Sequence, residues 1–319
     1  MGVTADKFAR KAIRTADGIV NISILLLVLL LVAFSGYALW DSQQLYQAAD
    51  AARYEIYKPS VQDEGKSFGE LQALNPEVFA WLTVYGTQID YPVTQGPDNM
   101  KYVNTNAEGE YSLSGSIFLD SRNDQHFTDY NSIFYGHHME KKTMFGELGL
   151  FSDQAYFDAR RYGNLYYDGK DHGLEFFAFI HVDAYDWTVF TAGVQGEEEQ
   201  QNYLAYLLEK AICTRDVRVT AENQIVLLST CSSQSTNGRD ILIGKITDEL
   251  YEDAFKPNET DNTGLLEKID KQMNQADLWK WVLLLLLAAL ILTDIVVYYK
   301  YRKRKQLVQN NRAENNRKE

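Results

Sequence analysis

The chain has 319 residues, 45% of them hydrophobic and 24% charged, a balance that excludes a disordered polymer and a multi-pass membrane protein and fits one ordinary domain with appendages. Its formal charge of −13 is uneven: the first 18 residues carry about +2 and the last 20 about +6, so the middle carries about −21. An acidic body with basic ends argues against nucleic-acid binding, which needs a clustered basic footprint on the folded domain.

In chain order, residues 1–17 form a short N-terminus with Lys7, Arg10, Lys11 and Arg14. Residues 18–40 (GIVNISILLLVLLLVAFSGYALW) carry no charge over about 23 positions, enough to cross roughly 30 Å of hydrocarbon at about 1.5 Å per residue. The run is longer than a signal-peptide core and lacks an A-x-A exit, so it reads as an uncleaved anchor. Residues 41–75 have helical spacing with one break at Lys58-Pro59, predicting two helices between membrane and domain.

From residue 76 to 250 the texture changes to short runs rich in Val, Ile, Tyr, Phe and Thr: VFAWLTVYG, IDYPVT, GSIFLD, NSIFYG, GNLYYDG, LEFFAFIHVDAYDW, QIVLLST and ILIGKI. Gly, Asn, Asp or Pro bounds each run, the punctuation of a mainly antiparallel β domain. About eight strands favour a closed barrel. Helical patterns interrupt them at Met144–Leu150, Ser152–Arg160 and Glu197–Ile212. Residues 251–278 read as a polar tether, 279–299 as a second span interrupted by Asp294, and 300–319 as a basic tail. The positive-inside rule places both termini in the cytoplasm and the domain outside. Asp294 lies near the cytoplasmic end of its span, within reach of interfacial water.

Only Cys213 and Cys231 occur, too few for a disulfide framework, so stability rests on a packed core. Cys213 follows the helical pattern YLAYLLEKAIC and reads as a small core residue. Cys231 differs. It ends the strand QIVLLST and precedes SSQSTNG and Arg239, so a rigid strand presents it at the loop side, as a nucleophile requires. An unperturbed thiol titrates at about 8.5, so such a cysteine needs a nearby cation or base.

Among the histidines, His172 sits in a DGKDHG turn and reads as solvated, His181 lies within a strand, and His126 follows a loop and is a weak alternative. The junction IFYGHHM offers more: a glycine permits a tight strand exit and His137 follows at once, with His138 beside it.

YGHHM with MFGEL, and LSTC with the following NGR, together resemble the sortase family, class B, whose members carry YGHNM-like and TLSTC-like motifs with an arginine on the next strand. The similarity runs through NPEVFAWLTV, YPVTQGPDNMKYV and GSIFLDSRN, roughly Ser67 to Ile246. The resemblance implies a mainly β fold: an eight-stranded sortase-type β-barrel with an N-terminal helical pair and helical insertions, here flanked by two transmembrane helices. It also implies a cysteine transpeptidase of a Gram-positive-type cell surface. Cys231 would attack the carbonyl after the Thr of a C-terminal sorting signal, His137 would serve as acid/base, and Arg239 would stabilise the oxyanion or hold the substrate. His138 stands where asparagine is common in the family. Asn99, Val103, Tyr135, Ser229 and Thr230 match positions that line the substrate groove.

The implied partners are surface proteins or pilins with an LPxTG- or NPxTx-like signal, and the amine of a peptidoglycan precursor or a pilin lysine. The second span favours pilus assembly, while no class C-type lid motif precedes the barrel, so the acceptor stays open. No metal or other cofactor is implied, and the acidic clusters GEEEQ and VQDEG lack cation-loop spacing. Two other readings remain: a non-catalytic membrane scaffold or sensor reusing the barrel, and a plain cysteine peptidase in which water replaces the amine.

Overall fold

A computed structural model describes residues 2–59, 65–231, 237–256 and 301–302. The second predicted span, Asp294, nearly all of the tether and most of the basic tail lie outside the described residues. Met1–Phe255 forms one compact unit.

Helix α1 (Gly2–Ala48) opens the chain, followed by a 3-10 turn (Ala51–Tyr57) and helix α2 (Lys66–Leu74). Thr15 begins the one stretch, among the described residues, long and apolar enough to cross a membrane; its most apolar part has a mean hydropathy of 2.7 and is 0% buried. A run of exposed Leu, Ile and Val of that length needs an apolar surrounding that water does not provide. The predicted helical pair is present, but the chain breaks earlier than the proline indicated. Helix α1 ends at Ala48, and Asp50 caps the start of the 3-10 turn by accepting a hydrogen bond from Ala52 N, a local side-chain cap that the continuing periodicity hid. Lys58-Pro59 then closes the 3-10 turn.

Among the described residues, nine strands follow: β1 (Val78–Val84), β2 (Asp90–Thr94), β3 (Ile117–Leu119), β4 (Asn131–Tyr135), β5 (Tyr162–Tyr167), β6 (Lys170–Asp183), β7 (Ala211–Thr214), β8 (Ile225–Cys231) and β9 (Gly238–Thr247). They form one sheet in the order β5-β1-β2-β3-β4-β8-β9-β6-β7, and a further β5–β6 pairing closes the ring. Eight strands make the barrel, as the sequence predicts. Helices α3 (Gln154–Ala159) and α4 (Glu197–Glu209) are insertions between strands.

The ninth strand, β7, corrects the sequence reading. The helical period of YLAYLLEKAIC stops at Glu209, and Ala211–Thr214 pairs with β6, setting Cys213 opposite Phe179. Four residues are too few to show a period of their own, so pairing with an available sheet edge decides their conformation. Cys213 remains a core residue: its thiol is buried, donates to Ser152 O at 3.5 Å, and is pushed up in pKa by burial.

Strand β8 shows why these strands read as continuous apolar runs. Val226 and Leu228 join the large cluster containing Trp81, Leu82 and Phe179, whereas Ile225 and Leu227 join a second cluster with Tyr203 and Leu207 of α4. Side chains alternate faces along a strand, so a strand covered on both sides is apolar throughout. Residues Ile225 to Leu228 are all 0% exposed. Leu228→Ala should therefore cost about 2–5 kcal/mol, read as a lower urea midpoint with unchanged slope. A midpoint equal to wild type would contradict the double-sided packing.

Candidate active site

Strand pairing alone assembles most of the site. β8 lies between β4, to which it is parallel, and β9, to which it is antiparallel. The β4–β8 register sets Tyr135 beside Ser229, and the β8–β9 register sets Cys231 opposite Arg239 at the barrel rim. Just past β4, Gly136 N donates to Ser229 O at 3.2 Å and Gly136 O accepts from Thr230 Oγ1 at 2.8 Å, so the exit that carries His137 is stitched to the end of β8. A Cβ on Gly136 would stand 2.7 Å from the Phe145 ring, which is why glycine occupies this exit.

His137 Nε2 lies 2.8 Å from Val103 O. A carbonyl oxygen only accepts, so Nε2 carries the proton and the neutral ring keeps its lone pair on Nδ1. The Val103 carbonyl is itself held by a close backbone approach. Gly115, at φ +59°, packs where a Cβ would come within 2.6 Å of Val103 O and 2.5 Å of Tyr102 O. On the other side, Phe145 N donates to His137 O at 3.1 Å, and His138 pairs through its backbone with Met144. Lys141, Lys142 and Met144 have φ of 58°, 66° and 52°, an uncommon conformation for residues with side chains. The turn is tied down where Met144 N donates to Tyr91 OH at 3.0 Å. Buried His138 Nδ1 has no hydrogen-bond partner among the described residues.

These elements surround an open cleft of about 590 Å³. The proposed acid/base His137 and the cation Arg239 line it, and so do all five residues matched to a substrate groove: Asn99, Val103, Tyr135, Ser229 and Thr230. Cys231 follows Thr230 directly along β8. Sequence reasoning missed Arg122 and the aromatic wall of Phe118, Trp187 and Phe190. Phe118 and Arg122 fall within GSIFLDSRN, where a strand pattern and a turn explain them without reference to a cleft; Trp187 and Phe190 come from the loop after β6. Among the described residues, the lining includes two arginines and a histidine but no carboxylate. Within a body of about −21, the cleft is thus a locally cationic patch.

The remaining histidines lie elsewhere. His126 is exposed and bonds Asp168 at 2.8 Å, a contact that raises its pKa. His181 is half-buried on β6 with Nδ1 2.8 Å from Asp240. His172 corrects the sequence reading: it is buried, stacked 3.8 Å from the Tyr167 ring, and its pKa is lowered by burial. The turn lies just before it, and β6 has already begun at Lys170.

Comparison with known proteins is consistent across sequence and structure. No family model matches the chain. Sortase B of Listeria monocytogenes is 31% identical over 208 residues, 65% of this chain and 82% of that protein. Sortase B of Staphylococcus aureus is 30% identical over 209 residues, 64% of this chain and 81% of that protein. Among solved structures, sortase B from the type II pilus of Streptococcus pneumoniae is 48% identical with a TM-score of 0.51, covering 57% of this chain and 99% of that one. A Streptococcus pyogenes class B sortase involved in pilus biogenesis is 40% identical with a TM-score of 0.53, over 57% and 99%.

The Val103 contact predicts the tautomer of His137. Nitrogen-15 NMR of the neutral ring should show Nε2 protonated and Nδ1 bare, and the reverse assignment would remove the Val103 anchor from the site.

Proposed function

This chain belongs to the class B sortases and is a cysteine transpeptidase, and on that premise we propose that Cys231 is its nucleophile, His137 its acid/base and Arg239 its oxyanion donor. The observation that carries the assignment is the double register of β8, with Cys231 opposite Arg239 and the His137 exit stitched to Ser229 and Thr230.

The chemistry follows from those positions. Cys231 Sγ, its proton taken by His137, attacks the carbonyl carbon after the Thr of a sorting signal; an S–C bond forms and negative charge moves to the carbonyl oxygen. Arg239 presents fixed guanidinium donors where that charge develops. With Nε2 committed to Val103 O, the proton moves through Nδ1. His137 passes it to the leaving nitrogen, the C–N bond breaks, and a thioester remains on Cys231. An incoming amine attacks the thioester, loses a proton to His137, and expels the Cys231 sulfur. Asn99, Val103, Tyr135, Ser229 and Thr230 bind the peptide.

The substrates in this reading are surface proteins or pilins with an LPxTG- or NPxTx-like signal. A pilin lysine is the favoured acceptor over a cell-wall precursor, supported by the higher identity to the two pilus-associated sortases than to sortase B of Listeria monocytogenes or Staphylococcus aureus. Residues 18–40 anchor the enzyme and residues 279–299 span a second time, with both termini cytoplasmic and the barrel outside, as the flanking Lys and Arg favour. Hydrolysis, the peptidase-like reaction, is what the same thioester undergoes when water replaces the amine. An inert Cys231 thiol would instead favour a scaffold or sensor.

The test uses the full chain in detergent with sorting peptides, reading the acyl adduct by mass spectrometry with and without a lysine-bearing acceptor. Cys231→Ala should abolish the adduct, and an adduct that persists would refute the mechanism. His137→Ala should slow acylation at least ~10²-fold and His138→Ala far less. Equal losses would reassign the base.

A further inference from the structure

Behind the cleft wall lies a carboxylate that the chemistry above does not use. Asp120 directly follows β3, and its side chain is 0% exposed. An unpaired buried carboxylate would be costly, yet this one is heavily bonded. It accepts from Asn99 Nδ2 at 2.9 Å, Tyr135 OH at 3.0 Å, and Arg122 Nε and Nη2 at 2.8 and 2.7 Å. Arg122 N adds a backbone bond at 3.0 Å. Burial pushes the Asp120 carboxyl up, but the Arg122 and Tyr135 bonds outweigh it and hold the pKa below the ordinary carboxylate range. The three side-chain donors come from three different segments, and all three line the cleft, whereas Asp120 does not.

The hub also determines what each partner has left to offer. Asn99 Oδ1 accepts from Ser121 N at 2.7 Å, which fixes the amide orientation and leaves its second N–H without a partner among the described residues. Arg122 Nη2 reaches onward to Phe190 O at 3.0 Å, tying a second cleft wall to the first. Nε and Nη2 are thereby used, and Nη1 takes no part in these bonds. The Tyr135 ring lies 5.4 Å from Phe118 and 6.4 Å from Phe190, so its hydroxyl anchor also orders the aromatic wall. Asn99 thus keeps a hydrogen-bond donor, and Arg122, which also bonds Tyr135, keeps a partly exposed positive charge, for the space where a peptide would lie.

We propose that Asp120 is a positioning residue for the sorting peptide, holding Asn99, Arg122 and Tyr135 so that their wall reads the carbonyl oxygens of an extended peptide segment. The inference rests on the reading of the cleft as a sortase groove. A purely structural Asp120 would close the turn through its bond to Arg122 N and matter for stability alone. A positioning role places its effect on peptide capture, and leaves the amine step untouched.

The experiment measures KM and kcat for a sorting peptide, KM for the acceptor amine, and thermal stability in full-length Asp120→Asn and Arg122→Gln. Asparagine keeps the shape and the acceptor for Arg122 N but loses the charge-assisted fork. Both variants should raise peptide KM about tenfold, change kcat less than about threefold, and leave amine KM and the iodoacetamide reaction of Cys231 unchanged. The double variant should cost little more than either single one, because both remove the same interaction. Peptide binding is followed in parallel by NMR titration in a Cys231→Ala background, where turnover plays no part. Wild-type peptide affinity in Asp120→Asn or in Arg122→Gln overturns the proposal, whatever happens to stability. If Asp120→Asn fails to fold, Arg122→Gln decides the matter, because that side chain is exposed. Binding without any wild-type acyl adduct would instead refute the transpeptidase assignment, so the two failures read differently.

Discussion

The site depends on the sandwiching of β8 between β4 and β9. Parallel pairing on one side and antiparallel pairing on the other leave no freedom in register, because both faces of β8 are buried and a one-residue slip would exchange its two apolar sets. That rigidity reaches the rim. Cys231 is the last residue of the strand, Arg239 is its cross-strand partner, and Gly136 is bonded to the β8 end through its N–H and its carbonyl. Cys231, Arg239 and the exit that carries His137 are held together this way by strand pairing and hydrogen bonds at the end of β8.

Around this frame the loops are fixed by polar contacts between segments distant in the chain. The Val103 carbonyl sets the His137 tautomer, and Gly115 sets the Val103 carbonyl. Tyr91 is a second such tie: its buried hydroxyl donates to Ala49 O at 2.8 Å and accepts from Met144 N, joining the end of α1 to the turn behind the histidines. Lys141 Nζ lies 4.1 Å from the Tyr46 ring of the same helix. The helix suited to a membrane is therefore packed into the catalytic unit through its last turn, and these contacts offset the uncommon backbone angles of Lys141, Lys142 and Met144.

Charge is distributed in keeping with that frame. The acidic body leaves the cleft lined by arginines, because the carboxylate behind its wall, Asp120, is buried and neutralised there by Arg122. Arg122 is in turn half outside, so one guanidinium both satisfies a buried charge and lines the cleft. A cationic cleft suits a reaction that develops an oxyanion.

Much of this was legible without coordinates. Eight short β-rich runs between turn residues became the eight barrel strands, the apolar N-terminal run became a long exposed helix, and the glycine before His137 marked a strand exit that lines the cleft. Such features are local: period, punctuation and the order of motifs survive in one dimension. Strand β7, the early cap at Asp50, the burial of His172 and the cleft roles of Arg122 and Phe190 were not legible. Most of them depend on a partner far along the chain, such as β6 for Cys213 and the loop after β6 for Arg122, and the cap at Asp50 was masked by a helical period that ran on past it. The sequence by itself determined which segments form the eight barrel strands and which residue types stand at the proposed site. The tertiary structure alone decided their register, the tautomer of His137 and the hub at Asp120, because hydrogen bonds between distant segments leave no periodic trace in the chain.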